Sequence, residues 1–99
     1  MLFRSEASGL DRDGNLLCVD PGLARVFHAA TRSAARTIVV AYQPQLSERD
    51  GHVFCNLSEI GGLVIDDGID PPTMDLFPRK QLELHRRENG IIEFRRTTR

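Results

Sequence analysis

Two short stretches carry the residue types from which a ligand site could be built. The first is Arg32-Ser-Ala-Ala-Arg36, an Arg-x-x-x-Arg pair. That spacing puts two guanidiniums on one side of the chain, whether the segment is helical or folds back as a loop. Two such planar forks can grip a phosphate and the O6/N7 edge of a guanine by paired hydrogen bonds, or stack on a base. The second is Asn56-Leu-Ser-Glu-Ile-Gly61, preceded by Val-Phe-Cys and followed by Gly-Leu-Val-Ile. Here an apolar strand enters a polar turn and an apolar strand leaves it. Asn56 and Ser58 can donate and accept hydrogen bonds, and Gly61 with Gly62 leaves room for a ligand where a side chain would stand. Each stretch also has a plainer explanation. The arginines could line a solvated helix face, and the second stretch could be a turn capped by its own Asn and Ser.

Other chemistry is harder to assemble. Asp11, Asp13 and Asn15 are spaced like the start of a calcium loop, but Gly14 comes too early and no Glu stands at the twelfth position. A hairpin turn is expected there instead. His28, His52, His85, Cys18 and Cys55 show no paired metal-ligand spacing. Ser58 sits in Asn-Leu-Ser-Glu-Ile and not in the Gly-x-Ser-x-Gly of a nucleophile elbow. Asp66 and Asp67 could raise one another's pKa, yet they precede a Gly/Pro-rich segment and read as solvated. The chain has no phosphate-binding glycine loop. With no catalytic constellation, the expectation is a binding module and not an enzyme, using neither a metal nor a cofactor.

Taken together, Arg-x-x-x-Arg, a gap of about twenty residues, and [Asp/Asn]-x-Ser-x-x-Gly between two strands resemble the PilZ domain family. The resemblance covers roughly Thr31 to Arg99, and its specific part is five positions. It implies a six-stranded antiparallel β-barrel that binds the bacterial second messenger cyclic di-GMP and relays it to a protein partner. By that pattern Arg32 and Arg36 would clasp the guanine bases and phosphates, while Asn56, Ser58 and Gly61 would line the wall where a guanine docks. The chain has Thr31 where the family commonly carries a further arginine. The alternative is a protein-interaction or inhibitor adaptor, of phage or regulator type, with no nucleotide ligand.

The elements that must position these residues follow from pattern. Asp20-Pro21 is a good helix start, an N-cap followed by proline at the first helical position. Leu23, Val26, Phe27, Ala30 and Ala34 then recur on one helical stripe. The spacing predicts a helix from Pro21 to somewhere between Ala30 and Arg36, with Arg25, Arg32 and Arg36 on its opposite side. Before it, Met1–Arg4 and Leu16–Val19 read as strands joined through the Asp11–Asn15 turn. After it come strands at Thr37–Gln43, His52–Leu57 and Leu63–Asp66, with a loop from Pro44 to Gly51. Asp67–Pro78, with a glycine and three prolines, reads as irregular. A final hairpin pairs Lys80–Arg87 with Ile91–Thr97 around Glu88-Asn89-Gly90. The expected fold is α+β: a small antiparallel barrel or curled sheet with one N-terminal amphipathic helix. One domain spans residues 1–99, its first 30 residues forming the hairpin and helix and residues 31–99 the PilZ-like barrel.

Bulk properties set the outer limits. A chain of 99 residues with 40% hydrophobic and 27% charged residues can bury one modest core. The net charge of −1 supplies no global attraction to nucleic acid or membrane, although twelve of the thirteen basic residues are arginine. Nucleic acid is therefore disfavoured as a partner. Two cysteines in apolar runs do not make a disulfide framework. The N-terminus lacks the long apolar stretch of a signal peptide, and no run approaches a membrane span, so a cytoplasmic location is expected.

Overall fold

A computed structural model describes residues 2–7, 9–41 and 51–97. The strands sort into two sheets. In the larger, β1 (Leu2–Glu6), β4 (Arg36–Ala41), β6 (Gly62–Asp66), β8 (Ile91–Arg96) and β7 (Leu82–Glu88) lie in the spatial order β1-β4-β6-β8-β7. In the smaller, β2 (Gly9–Leu10), β3 (Asn15–Cys18) and β5 (His52–Asn56) lie in the order β2-β3-β5. The fold is thus mixed α+β, and the expected antiparallel barrel is not formed. β1 pairs with β4 in parallel, and β4 pairs with β6 in parallel, so only the β6-β8-β7 half of the large sheet is antiparallel.

This corrects the N-terminal pairing as well. β1 does not return on β3; its partner is β4, with Leu2 opposite Arg36 and Glu6 opposite Val40. The Asp11–Asn15 turn joins β2 to β3 instead, with Leu10 opposite Leu16. Parallel neighbours need a crossover of about a dozen residues or more. The segment carrying β2, β3 and α1 (Pro21–Ser33) supplies the first, and the segment carrying β5 supplies the second. Local pattern marks which residues are extended but not which strand receives their hydrogen bonds.

Helix α1 begins where expected. The Asp20 side chain accepts from the backbone N–H of Gly22 at 2.8 Å and of Leu23 at 3.2 Å, and Pro21 opens the helix. It stops at Ser33, and Ala34 is already extended with ψ 144°. Near that end the Thr31 hydroxyl donates to the Phe27 carbonyl at 2.8 Å, a back-bond that weakens a helix end. The buried face differs from the expected stripe. Ala24 is buried and Phe27 packs edge-on against Phe54 with centroids 5.3 Å apart, whereas Leu23 and Val26 are 43% and 60% exposed. Small Ala24 lets the helix lie close to β5, and Phe27 fills the space beside Phe54. The helix is thereby rotated so that its larger aliphatic flank faces outward.

Residues 67–78, expected to be irregular, hold a short helix α2 (Pro71–Met74) and most of a second, α3 (Leu76–Arg79). They deliver Phe77, fully buried, against Phe94 at a centroid distance of 4.8 Å. The final hairpin forms as expected, with Asn89 and Gly90 at positive φ in its turn. One core joins both sheets. Val39, Leu63, Ile65, Ile92 and Phe94 come from the large sheet, and Leu16, Phe54 and Cys55 from the small one. The expected loop from Pro44 onward lies outside the described residues, apart from Gly51.

Candidate functional site

The end of α1 and the start of β4 place the arginine pair at a corner. Arg32 is exposed in the last turn of α1, and Arg36 is the exposed first residue of β4. Neither guanidinium has a hydrogen-bond or ion-pair partner among the described residues. The parallel register of β4 and β6 brings the second motif to this corner. Ile38 is opposite Gly62, and the N–H of Gly61 donates to the carbonyl of Thr37 at 2.8 Å. Arg36 then lies across Gly61, since a Cβ there would stand 2.9 Å from Arg36 Cγ and 3.4 Å from its Nε. Two residues distant in sequence meet because one has no side chain.

Asn56-Leu-Ser-Glu-Ile-Gly61 is a single turn of 3₁₀ helix, Leu57–Glu59, closed by a capping box. Asn56 Oδ1 accepts from Ser58 N–H at 3.0 Å, and Glu59 Oε1 accepts from Asn56 N–H at 2.7 Å. The other end of Asn56 is also committed. Its Nδ2 donates to the Asp13 carbonyl at 3.0 Å and to Asn15 Oδ1 at 2.9 Å. Asn56 is therefore a bracket between two turns, its side-chain amide already engaged at both ends. Ser58 is exposed, with no hydroxyl partner among the described residues. Of the five candidate residues, the structure brings Arg36 and Gly61 into contact, leaves Arg32 and Ser58 exposed and without a side-chain partner among the described residues, and engages Asn56 in the fold.

What holds this turn is Arg96, which no motif marks. Its Nε donates to the Ile60 carbonyl at 2.8 Å and its Nη2 to the same oxygen at 2.6 Å. The guanidinium also donates to the carbonyls of Leu57 and Lys80. Burial lowers its pKa from the ordinary arginine value. By strand alternation Arg96 falls on the same face as the buried Ile92 and Phe94. The carbonyls that receive its guanidinium there are gathered by the 3₁₀ turn and the end of α3.

The Asp11 turn is likewise self-contained. Asp11 Oδ1 accepts from the N–H groups of Asp13 at 3.0 Å and Asn15 at 2.9 Å, and Oδ2 accepts from Asn15 Nδ2 at 3.0 Å. Partial burial pushes the Asp11 pKa up, but these hydrogen bonds and the nearby Lys80 charge outweigh it and leave the pKa lowered. Among the described residues no three His, Cys, Asp or Glu side chains gather as a metal site. Burial, reinforced by the Glu59 charge, pushes the Cys55 thiol up to about 12, so it remains protonated.

A concavity lies elsewhere, between α1 and β5. It is a groove of about 530 Å³ lined by Pro21, Ala24, Arg25, His28, His52 and Val53. His28 spans it, with Nδ1 at 3.0 Å from the Phe54 carbonyl. The sequence gives no sign of it, because it arises from the rotation of α1 that Phe27 and Phe54 impose. No protein-family model, no curated protein and no solved structure matches this chain.

Proposed function

We propose that the chain is a binding module that takes a phosphate-bearing guanine nucleotide, cyclic di-GMP in the first instance, at the α1–β4 corner. The observation that carries this reading is the Arg36 guanidinium laid across Gly61, with Arg32 one helix end away, neither having a partner among the described residues. Arg36 would bind phosphate or a guanine edge, Arg32 would close from the helix side, and the Ser58 hydroxyl would add a donor. Gly61 is the floor that lets Arg36 lie flat. Relay to a protein partner would follow from ordering of these side chains on binding. The reading carries a cytoplasmic setting with it. Among the described residues no helix is long and apolar enough to cross a membrane.

Calorimetric titration with cyclic di-GMP tests it. Micromolar or tighter binding, lost in Arg32→Ala/Arg36→Ala and weakened in Ser58→Ala, is the expected result. Each charge-assisted bond contributes about 1.5–3 kcal/mol, so losing both arginines should weaken binding by roughly a hundredfold or more. A titration without heat overturns the nucleotide reading. The adaptor reading is the second one, favoured by the outward flank of α1, where Leu23 and Val26 stand in solvent.

A further inference from the structure

We infer that the groove between α1 and β5 is a second, separate binding site, for a small apolar-bodied carboxylate that also carries a hydroxyl. The groove's volume of about 530 Å³ falls within the range of roughly 300–1,000 Å³ typical of small-molecule sites. Its floor is apolar, formed by Pro21, Ala24 and Val53, the last 55% exposed. Its polar groups are Arg25, His28 and His52, and no acidic side chain lines it among the described residues. Arg25 and His52 have no hydrogen-bond or ion-pair partner among the described residues.

His28 gives the site its second requirement. A carbonyl oxygen only accepts, so the 3.0 Å contact with Phe54 makes Nδ1 the donor of that bond. In the neutral ring the proton is then on Nδ1, and Nε2 is left as an acceptor. The Phe54 bond also fixes the ring's direction, because Phe54 is anchored in the core and against Phe27. Arg25 stands three residues before His28 on the same helix, a spacing of about 5–6 Å between Cβ atoms. The groove thus offers a cationic fork and a neutral acceptor one helical turn apart above an apolar floor. A carboxylate answers the first, a hydroxyl donor the second, and an aromatic or aliphatic body between them covers Ala24 and Val53. At the near end of α1, Asp20 Oδ1 accepts from the N–H groups of Gly22 and Leu23.

The experiment uses the ¹⁵N-labelled chain and three probes, 4-hydroxybenzoate, benzoate and 4-hydroxybenzamide, followed by amide shifts. Saturable shifts at Ala24, Arg25, His28, His52 and Val53 with 4-hydroxybenzoate are expected, with the other two probes each about tenfold weaker. Arg25→Ala should lower 4-hydroxybenzoate to the affinity of the amide. His28→Asn, whose shorter amide keeps a donor for Phe54 but lacks the far nitrogen, should lower it to that of benzoate. Equal binding of all three probes, shifts mapping elsewhere, or no saturable shift with any probe overturns the inference. So does an unchanged preference for the hydroxyl in His28→Asn. Cyclic di-GMP takes no part in this titration, so its result stands apart from the outcome at the α1–β4 corner.

Discussion

Removing the Arg96 guanidinium would leave the carbonyls of Leu57, Ile60 and Lys80 turned toward one another without their shared donor. Arg96→Ala should therefore cost about 2–4 kcal/mol in urea unfolding, and Arg96→Lys should recover little, because one ammonium cannot reach three carbonyls in a fork. Gly61→Ala is a milder change. The new Cβ meets the flexible Arg36 side chain, so a stability loss of about 1 kcal/mol or less is expected, together with displacement of Arg36. The same variant should weaken the proposed nucleotide binding at the corner more than it weakens the fold. Asp11 supplies a pH signature. Its pKa lies below the ordinary 3.8 in the folded chain, so its contribution is full above that value and is lost as pH falls through the folded pKa. Asp11→Asn should flatten the fall in stability as pH drops below the ordinary 3.8, measured by chemical unfolding at each pH. Cys55, pushed up to about 12, should resist a thiol reagent at mildly alkaline pH in a Cys18→Ser background and react at once in denaturant.

At the scale of elements, α1 separates what amphipathic pattern can say from what packing decides. Its start was legible in Asp20-Pro21, and Asp20→Ala should cost about 1 kcal/mol by leaving the N–H groups of Gly22 and Leu23 without their acceptor. Its buried face was not legible. Five apolar residues share the stripe, but Phe27 and Ala24 meet β5 while Leu23 and Val26 do not. Val26→Lys should leave the thermal midpoint nearly unchanged, whereas Phe27→Ala should cost about 2–4 kcal/mol. A larger loss at Val26 than at Phe27 would reverse this assignment. The 3₁₀ turn tells a similar story. Its Asn-x-Ser-Glu pattern is a capping signal as much as a ligand signal, and Asn56 follows the capping chemistry in full.

For the molecule as a whole, the parallel arrangement of β1, β4 and β6 decides where the arginines and the glycine meet. Were β6 paired antiparallel to β4, Thr37 would not stand beside Gly61 and Arg36 would have no glycine to lie on. Both sheets share one core through Leu16, Phe54, Val39 and Ile65, so unfolding should be a single cooperative transition.

The order of residues alone settled the mixed α+β class, the start of α1, the final hairpin with its Asn89-Gly90 turn, and the positions of most strands. Those follow from caps, turn residues and short-range alternation, which act over a few neighbours. Strand partners, the open pair of sheets, the carbonyls that receive Arg96, the commitment of Asn56 and the groove beside His28 were decided only by the assembled chain. Each depends on groups far apart in sequence competing for the same hydrogen-bonding edge or the same buried volume, and no local window contains both competitors.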